Sequence, residues 1–440
     1  MKNNYIIVIG GGIAGTAAAY TLSQKGYPVT IIEKNDRLGG RVHSIITDDA
    51  TFEMGAGFLT DIYTNIFVFL KKNGLDTYLQ TRKSRSAVVK DGLLFPLLAK
   101  STLLGSSLVS HKAKLQFISE FAKTVAAWNK LDSKNWWKAY PFDKQSVIQA
   151  LTKGNDSELV DYLIQPALDG YCYWSAEHTS EAMLLLILKA AFTRQHTFIL
   201  KCGLQHIPET AANGSEVLLS HEVTQVQKIS EKEYEVTVKN NRGTKKLRAS
   251  GIVCSTTATG IPKVIKGLND KQKAFFSSIH YSSTAIVAKI YNPKITPPNY
   301  AIAYPRKESK TIGAITIVSD IANNKKKNIT LVKLFASGAK GKQLCKESDN
   351  SIDSALSKAA SISNSIFKGS TDPTSRYIQR WEEAIPEFNV GHFQRLKAFM
   401  DGEIETDKIV FAGDYIGGSF IEGAFTSGVE AATRLERQMS

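Results

Sequence analysis

A strand, a glycine-rich turn, a helix and a second strand follow one another within residues 5–33 and constrain the fold more than any other feature. Residues 5–9 are apolar and rich in isoleucine and valine, which is typical of a strand buried on both faces of a parallel sheet. Residues 10–15 read G-x-G-x-x-G, residues 16–23 favour a helix, and residues 29–32 predict the next strand. This order predicts an α/β fold built on a parallel sheet.

The spacing inside this unit indicates a dinucleotide site. Gly10 permits the tight turn, Gly12 lets a pyrophosphate approach the backbone, and Gly15 lets the helix pack closely on the sheet. The helix N-terminus offers free N–H groups to the phosphates. Glu33, 18 residues beyond Gly15, suits ribose hydroxyls and disfavours the 2′-phosphate of NADP. The predicted contacts are Gly10, Gly12, Ile13, Ala14, Gly15, Glu33 and Lys34.

Composition narrows the remaining classes. The 440 residues are 43% hydrophobic and 22% charged, which is ordinary for a folded protein. The four cysteines are scattered, so neither a disulfide framework nor a metal site is predicted. The net charge of +14 favours acidic substrates, anionic membranes, nucleic acid or simply solubility, and no basic–aromatic motif supports nucleic acid. Without a long apolar run or a signal-peptide pattern, we expect a cytoplasmic protein.

Residues 35–44, which read NDRLGGRVHS, distinguish between the dinucleotides NAD and FAD. They resemble the segment after the second strand in the flavin amine oxidase and protoporphyrinogen oxidase superfamily. In that superfamily a Gly-Gly-Arg turn runs beside the flavin diphosphate, and Arg41 is suited to neutralise a phosphate. The resemblance implies FAD, held non-covalently, as the cofactor.

The far end of the chain carries the matching half of this resemblance. Residues 408–414 read as a buried strand ending in Gly-Asp, and residues 421–432 resemble the family's final helix, which begins against the flavin ring. Residues 52–57 resemble a glycine turn of the family, and residues 222–226 resemble its adenine-contacting strand. The implied further contacts are Gly40, Arg41, Gly55, Ala56, Gly57, Val223, Gly413, Asp414, Glu422, Gly423 and Ala424.

Because the flavin signatures lie at both ends and in the middle of the chain, we predict two interleaved domains. A Rossmann-like FAD-binding domain with a parallel sheet and helices is expected from residues 1–80, 195–270 and 380–440. A mixed α+β substrate-binding domain is expected from residues 81–194 and 271–379, the first insert being mostly helical. Helices are predicted over 113–128, 146–151 and 351–367, and strands over 283–291, 314–318 and 329–335.

Three stretches favour the protoporphyrinogen oxidase-like branch of the superfamily, namely residues 165–171, 202–208 and 381–392. The second departs from that branch's pattern at Cys202 and Ile207. Monoamine oxidases carry a lysine near the flavin, but Ile286 rather than Lys289 aligns with it here, which argues against a standard monoamine oxidase. The thiol that binds flavin covalently in those enzymes is replaced by His392, so attachment through His392 remains an alternative.

No catalytic group is identified by sequence. Candidates for the substrate pocket are Tyr171, Trp174, His392, Phe393 and Phe420, and for each of them a packing role is the simpler interpretation. The resemblance implies an oxidase or dehydrogenase that removes hydride from a C–N or ring C–H bond of a small molecule, with O2 as acceptor.

Two other function classes stay open. A carotenoid- or phytoene-desaturase-like enzyme would work at a membrane surface, where residues 93–98 with Lys100 and Lys112 form a candidate peripheral patch, although a buried hairpin or helix is the simpler interpretation. A non-enzymatic binding protein like the GDP-dissociation inhibitors shares the architecture, but Glu33, Arg41 and Asp414 argue against it. The sequence does not fix the substrate or the oligomeric state.

Overall fold

A computed structural model describes residues 4–48, 50–82, 85–97, 105–132, 135–152, 158–194, 196–292, 300–318, 329–361, 372–403 and 405–439. Its strands are β1 (Ile6–Ile9), β2 (Val29–Ile32), β3 (Ser44–Ile46), β4 (Thr51–Glu53), β5 (Leu59–Thr60), β6 (Leu79–Thr81), β7 (Arg85–Lys90), β8 (Leu93–Leu97), β9 (Thr197–Leu200), β10 (Glu216–Leu218), β11 (Glu222–Ser230), β12 (Glu233–Asn240), β13 (Gly243–Ala249), β14 (Gly251–Cys254), β15 (Thr284–Tyr291), β16 (Tyr300–Ala303), β17 (Ile312–Val318), β18 (Thr330–Ala336), β19 (Ser375–Trp381), β20 (Glu405–Thr406) and β21 (Ile409–Phe411).

The α-helices are α1 (Ile13–Ser23), α2 (Thr64–Lys72), α3 (His111–Ala126), α4 (Val147–Thr152), α5 (Gln165–Cys172), α6 (Glu181–Thr193), α7 (His206–Ala211), α8 (Ile261–Val264), α9 (Asp270–Ser277), α10 (Gly338–Leu344), α11 (Asp349–Ala360), α12 (His392–Ala398), α13 (Asp414–Gly417) and α14 (Ile421–Met439). Short 3-10 turns cover Leu75–Tyr78, Trp136–Phe142 and Ala258–Gly260, and π-helical turns cover Val160–Ile164 and Phe399–Glu403. Within the described ranges, no helix is both long and apolar enough to cross a membrane.

A six-stranded sheet in the order β10-β2-β1-β14-β21-β20 brings distant parts of the chain together. Its strands are parallel except β20, which pairs antiparallel with β21. A row of fully buried side chains crosses it from Ile31 through Val8 and Val253 to Val410. These strands are apolar on both faces because helices cover the sheet, as the sequence pattern indicates.

Helices α1 and α14 pack against each other on this sheet at very short range. A Cβ atom added at Gly428 of α14 would lie 2.0 Å from the carbonyl oxygen of Ala14 in α1. Leu22 and Leu435 are fully buried members of the core that the two helices share with the sheet. The start and the end of the described chain therefore form one structural unit.

A seven-stranded sheet in the order β19-β15-β18-β17-β16-β7-β8 forms the second major layer. It is antiparallel except for the β16–β7 pair. Helix α11 packs on one face through Ile352 and Leu356, and the hairpin of β3 and β4 packs on the other through Phe52. A helical layer from α3 to α6 has its own core, which includes Trp136, Trp174 and Phe388; the third has 0% exposure.

The strand–turn–helix–strand prediction is confirmed, with the helix starting at Ile13 rather than three residues later. The helices predicted over 113–128 and 146–151 and the three strands of the second insert are also confirmed within a few residues. Helix α11 covers the first part of 351–367, and residues 362–367 lie outside the described ranges.

The domain boundaries stay a prediction, although the strands of the two sheets come from the chain segments expected for each domain. The predicted peripheral patch includes β8, an edge strand in a hairpin with β7. Leu93 on β8 is 65% exposed, whereas Leu98 and Lys100 are not among the described residues.

Candidate cofactor site

The glycine turn between β1 and α1 leaves open space in front of the helix. Gly10 has a positive φ of 102°, which favours glycine. A Cβ atom at Gly15 would lie 2.0 Å from the Gly10 carbonyl oxygen, so a larger residue does not fit there. At Gly12, by contrast, an added Cβ would meet nothing within 4 Å. Gly12 therefore faces a space beside the N-terminus of α1, where Ile13 and Ala14 begin the helix.

The Glu33 carboxylate closes one end of this turn. Glu33 follows β2 directly and is 5% exposed. Its Oε2 accepts a hydrogen bond from the backbone N–H of Gly11 at 2.7 Å, and its Oε1 accepts one from the backbone N–H of Asn35 at 2.9 Å. Its backbone N–H donates to Leu218 at the end of β10. Val223, at the start of β11, is buried close to this edge, and Lys34 is exposed.

The Gly-Gly-Arg turn packs directly on the first glycine turn. The backbone N–H of Gly39 donates to the Gly11 carbonyl at 2.8 Å, and Gly40 has a positive φ of 56°. Arg37 holds the turn by donating from its guanidinium to the carbonyls of Leu38, Gly40 and Val42. The sequence interpretation missed Arg37, because nothing in the local pattern shows that its side chain folds back on the turn.

Arg41 joins the two ends of the site. Its guanidinium donates to both carboxylate oxygens of Asp414, with N–O distances of 2.7 and 2.9 Å, and also to the carbonyl of Ala384. The ring of Tyr281 lies 5.5 Å from the guanidinium carbon. In this structure Asp414 therefore already neutralises Arg41, and the pair fixes the Gly-Gly-Arg turn to the segment after β21.

The glycines near Gly55 and Gly413 allow close backbone approach. A Cβ at Gly55 would lie 2.0 Å from the Arg41 carbonyl, and the Ala56 N–H donates to that same carbonyl. At Gly57, an added Cβ would meet only the Gly55 carbonyl, at 4.0 Å. The backbone N–H of Gly413 donates to Ser427 Oγ on α14 at 2.9 Å. The turns that the sequence assigns to the flavin therefore lie in contact with one another.

The first turn of α14 separates one predicted contact from the others. An added Cβ at Gly423 would lie 2.4 Å from the Gly417 carbonyl, and Ala424 is half-buried beside it. The Glu422 side chain points to a different helix. Its carboxylate accepts hydrogen bonds from the backbone N–H groups of Thr64, Asn65 and Ile66 at the N-terminus of α2. The structure therefore gives this side chain a helix-capping position.

The five pocket candidates fall into two groups. Trp174, His392 and Phe393 are almost fully buried around Phe388, whereas Phe420 is half-buried between Tyr63 and Trp136. Tyr171 is 53% exposed, with its ring 6.4 Å from that of Phe58 just after Gly57. The structure thus places Tyr171 and Phe420 on half-open surfaces and the other three inside the helical core.

Two of the buried candidates retain unused polar atoms. Trp174 Nε1 and His392 Nε2 are buried, and each lacks a hydrogen-bond partner among the described residues. Burial, reinforced by Arg395, lowers the pKa of His392 to about 3, so its ring is neutral at ordinary pH. The turn that carries His392 is held by Asp143, whose carboxylate accepts from the N–H groups of Gly391 and Phe393. Asp143 lies about 250 positions away in sequence, which local sequence reasoning could not connect.

The strand β15 carries no lysine on the face toward β4. Ile286 lies on that face, whereas Lys289 points to the opposite face and pairs with Asp353 at 2.6 Å. The structural interpretation of Lys289 is therefore confirmed. The neighbouring strand β18 carries a lysine on the Ile286 face, Lys333, which is 7% exposed and donates to the Glu53 carbonyl. Burial, and then the charge of Arg82, lowers the pKa of Lys333 to about 8.

Comparisons with known proteins agree with this geometry. Residues 13–435 match the sequence profile of the flavin containing amine oxidoreductases. Protoporphyrinogen oxidase 2 of Arabidopsis thaliana is 21% identical over 97% of this chain and 92% of its own length. A 4,4'-diapophytoene desaturase of Staphylococcus aureus is 40% identical over 82 residues, which is 18% of this chain and 16% of the desaturase.

Solved structures show the same fold over the whole chain. Putrescine oxidase, solved with putrescine bound, superposes with a TM-score of 0.78 at 17% identity, covering 99% of both chains. Cyclohexylamine oxidase from Brevibacterium oxydans superposes with a TM-score of 0.75 at 17% identity, covering 100% of both chains. At this level of identity the likeness establishes the fold alone.

Proposed function

The chain belongs to the flavin containing amine oxidoreductase family, and from that premise we propose that it is an FAD-dependent oxidase of the protoporphyrinogen oxidase-like or biosynthetic amine oxidase type. The proposed reaction oxidises a C–N or ring C–H bond of a small molecule to an imine or a conjugated product. The match to the Arabidopsis enzyme over nearly the full length of both chains favours the first type.

The observation that carries this proposal is the open space at Gly12 in an otherwise tightly packed site. Gly15 and Gly55 leave no room for a side chain, yet an added Cβ at Gly12 would touch nothing. This space lies at the helix N-terminus and next to the Glu33 carboxylate, which suits a diphosphate with an attached ribose. The residues present therefore fit FAD.

Each part of the chain has a distinct role in the proposed reaction. The N–H groups at the start of α1 bind the diphosphate, and Glu33 binds ribose hydroxyls. The Arg41–Asp414 pair holds the two ends of the site at a fixed distance. Bound FAD supplies the acceptor for the two electrons of the substrate C–H bond, and O2 then takes those electrons as hydrogen peroxide.

Anaerobic mixing of the FAD-loaded protein with candidate substrates tests the proposal. We expect protoporphyrinogen or an amine such as putrescine to bleach the flavin absorbance, and admission of O2 to restore it with release of peroxide. Protein that cannot be loaded with FAD would contradict the proposal at its base. Loaded protein that dithionite reduces, but that no amine or porphyrinogen bleaches, would contradict the substrate classes.

A desaturase-like enzyme at a membrane surface is a second candidate, favoured by one observation. Leu115, Ile118 and Val125 lie on one face of α3 and are 68%, 45% and 52% exposed. An apolar helix face beside lysines is typical of binding to anionic membranes, and Lys112 and Lys123 lie on the same helix. Pelleting with anionic vesicles, abolished by L115D, would support this candidate. Recovery in the supernatant with every lipid would oppose it.

A further inference from the structure

One face of the seven-stranded sheet is apolar around two polar side chains. Opposite the face that α11 covers, Ile286, Phe335 and Ala314 form one row across β15, β18 and β17. The next row on the same face consists of Ala288, Lys333 and Thr316. Neighbouring residues on this face, such as Leu331 and Val318, belong to an apolar core. A lysine and a threonine side by side therefore interrupt an apolar surface next to Glu53 and the Gly55 turn.

Lys333 lacks a counterion. It is 7% exposed, and its Nζ donates only to the backbone carbonyl of Glu53, at 2.9 Å. No ion pair of Lys333 occurs among the residues that the structure describes. The Glu53 carboxylate is engaged elsewhere, accepting from Ser44 Oγ and from the Leu204 N–H, both at 2.8 Å. By comparison, Lys289 on the opposite face has Asp353 at 2.6 Å.

Two more polar groups near Lys333 have unused hydrogen-bonding capacity. Thr316 pairs in register with Lys333, and its buried Oγ1 has no hydrogen-bond partner in the described structure. Arg82 lies between β6 and β7, close enough for its charge to act on Lys333. The Nε of Arg82 is buried and also without a described partner, and its guanidinium forms no ion pair with any described residue. Two cations and a hydroxyl therefore share a site without an anion.

Such an arrangement has a physical cost that an anionic ligand removes. A buried charge without a partner is strongly unfavourable, and a second cation nearby increases that cost. A carboxylate matches the three groups, because it accepts the fork of an arginine together with a lysine and a hydroxyl donor. The sheet face around it supplies apolar contact for the remainder of a ligand, through Phe335 and Ile286.

We propose that Lys333, Thr316 and Arg82 bind a carboxylate group of the substrate, so that the molecule oxidised by this protein is an organic acid. This inference rests on the proposed function, since it assigns the substrate class of the same enzyme. None of the three residues belongs to the predicted FAD contacts, so the carboxylate site and the cofactor site can be tested separately.

Benzoate is a suitable probe, with benzamide as its uncharged counterpart. We titrate both into the FAD-loaded protein and measure heat and the change in flavin absorbance. Benzoate is expected to bind at least about tenfold more tightly than benzamide, as expected for charge-assisted hydrogen bonds. R82Q and K333M should each weaken benzoate by about tenfold or more and leave benzamide unchanged, while R82K should recover part of the loss.

K289M is the matched control, because it removes a buried lysine from the opposite face of the same sheet and should leave benzoate affinity unchanged. FAD content and the thermal midpoint are measured for every variant, so that a folding defect is separated from a binding defect. Equal affinity for benzoate and benzamide, or wild-type benzoate affinity in R82Q and K333M, would overturn the inference. Inorganic phosphate binding in place of benzoate would overturn the choice of a carboxylate. Protein that does not load FAD would instead contradict the proposed function.

Discussion

Gly12 and Gly15 lie three positions apart but meet different constraints. Gly15 is required by the protein itself, because a side chain there would overlap the Gly10 carbonyl. Gly12 meets no such neighbour, and its φ of −74° is accessible to any residue. A requirement for glycine at position 12 can therefore come only from a ligand that approaches the backbone.

The variant G12A should separate these two requirements. We expect the apo form to keep its thermal midpoint within about 2 °C of wild type, since nothing in the protein is displaced. Its FAD affinity should fall by about a hundredfold, because the added methyl group occupies the space of the diphosphate. Thermal unfolding and fluorescence titration with FAD measure the two effects. G15A is the comparison and should unfold at lower temperature even without FAD; a G12A protein that binds FAD normally would contradict the assignment.

Glu53 makes stability depend on pH in a direction opposite to that of most carboxylates. Burial raises the pKa of Glu53 to about 7, above its ordinary value of 4.5, despite the Leu204 N–H and Ser44 hydroxyl. The folded state therefore holds a proton that the unfolded state has released, and the stabilisation from this group is lost as the pH rises from about 4.5 through 7.

E53Q should remove this dependence, since a glutamine side chain carries no titrating proton. The free energy of unfolding of wild type relative to E53Q should fall by up to about 3 kcal/mol across that pH range. Urea denaturation at pH values from 4.5 to 7.5 measures the difference and stays below the range in which Lys333 titrates. A constant difference between the two proteins would show that Glu53 is ionised throughout.

At the scale of single elements, the side chain of Glu422 stabilises a helix other than its own. It accepts from three N–H groups at the start of α2, which would otherwise lack partners. E422A should lower the free energy of unfolding by about 1–3 kcal/mol, as expected when several donors lose their acceptor. Its FAD affinity should change less than threefold. E422Q, which keeps one acceptor oxygen, should show a smaller loss of stability.

Urea denaturation and FAD titration of these two variants decide the role of this carboxylate. Loss of FAD affinity with unchanged stability would return Glu422 to the set of direct cofactor contacts that the family resemblance implied.

How well elements could be predicted depended on how local their determinants are. The unit β1–α1–β2 was predictable because apolar strands and glycine spacing lie within one short stretch. The edge strand β8 was missed because it is defined by pairing with β7, which in turn pairs with β16 some 200 residues away. The capping of α12 by Asp143 and the position of Lys333 beside Glu53 likewise depend on long-range contacts. Motifs therefore located the cofactor turns, and only the fold located the groups facing the predicted substrate.

At the scale of the whole molecule, FAD should stabilise both distant ends of the described chain together. Helix α1 begins at the proposed diphosphate site, and α14 packs on α1 where Gly428 meets Ala14. At an FAD concentration of about 100 times Kd, the stabilisation should be about 2.7 kcal/mol. Hydrogen exchange should slow in residues 13–23 and 421–439 to a similar extent. Protection confined to the first segment would contradict their coupling; G12A, which should bind FAD poorly, provides the control.

The contact of α1 with α14 also has a consequence for biosynthesis. A ribosome that has released β1, α1 and β2 must still translate nearly 400 residues before α14 emerges. During that interval the first helix lacks the neighbour that covers its alanine-rich side, and its glycine turn lacks the opposite wall. Nascent chains are thus obliged to wait for their last helix before they can capture a cofactor, which makes late truncations far more damaging than their distance from the glycine turn suggests.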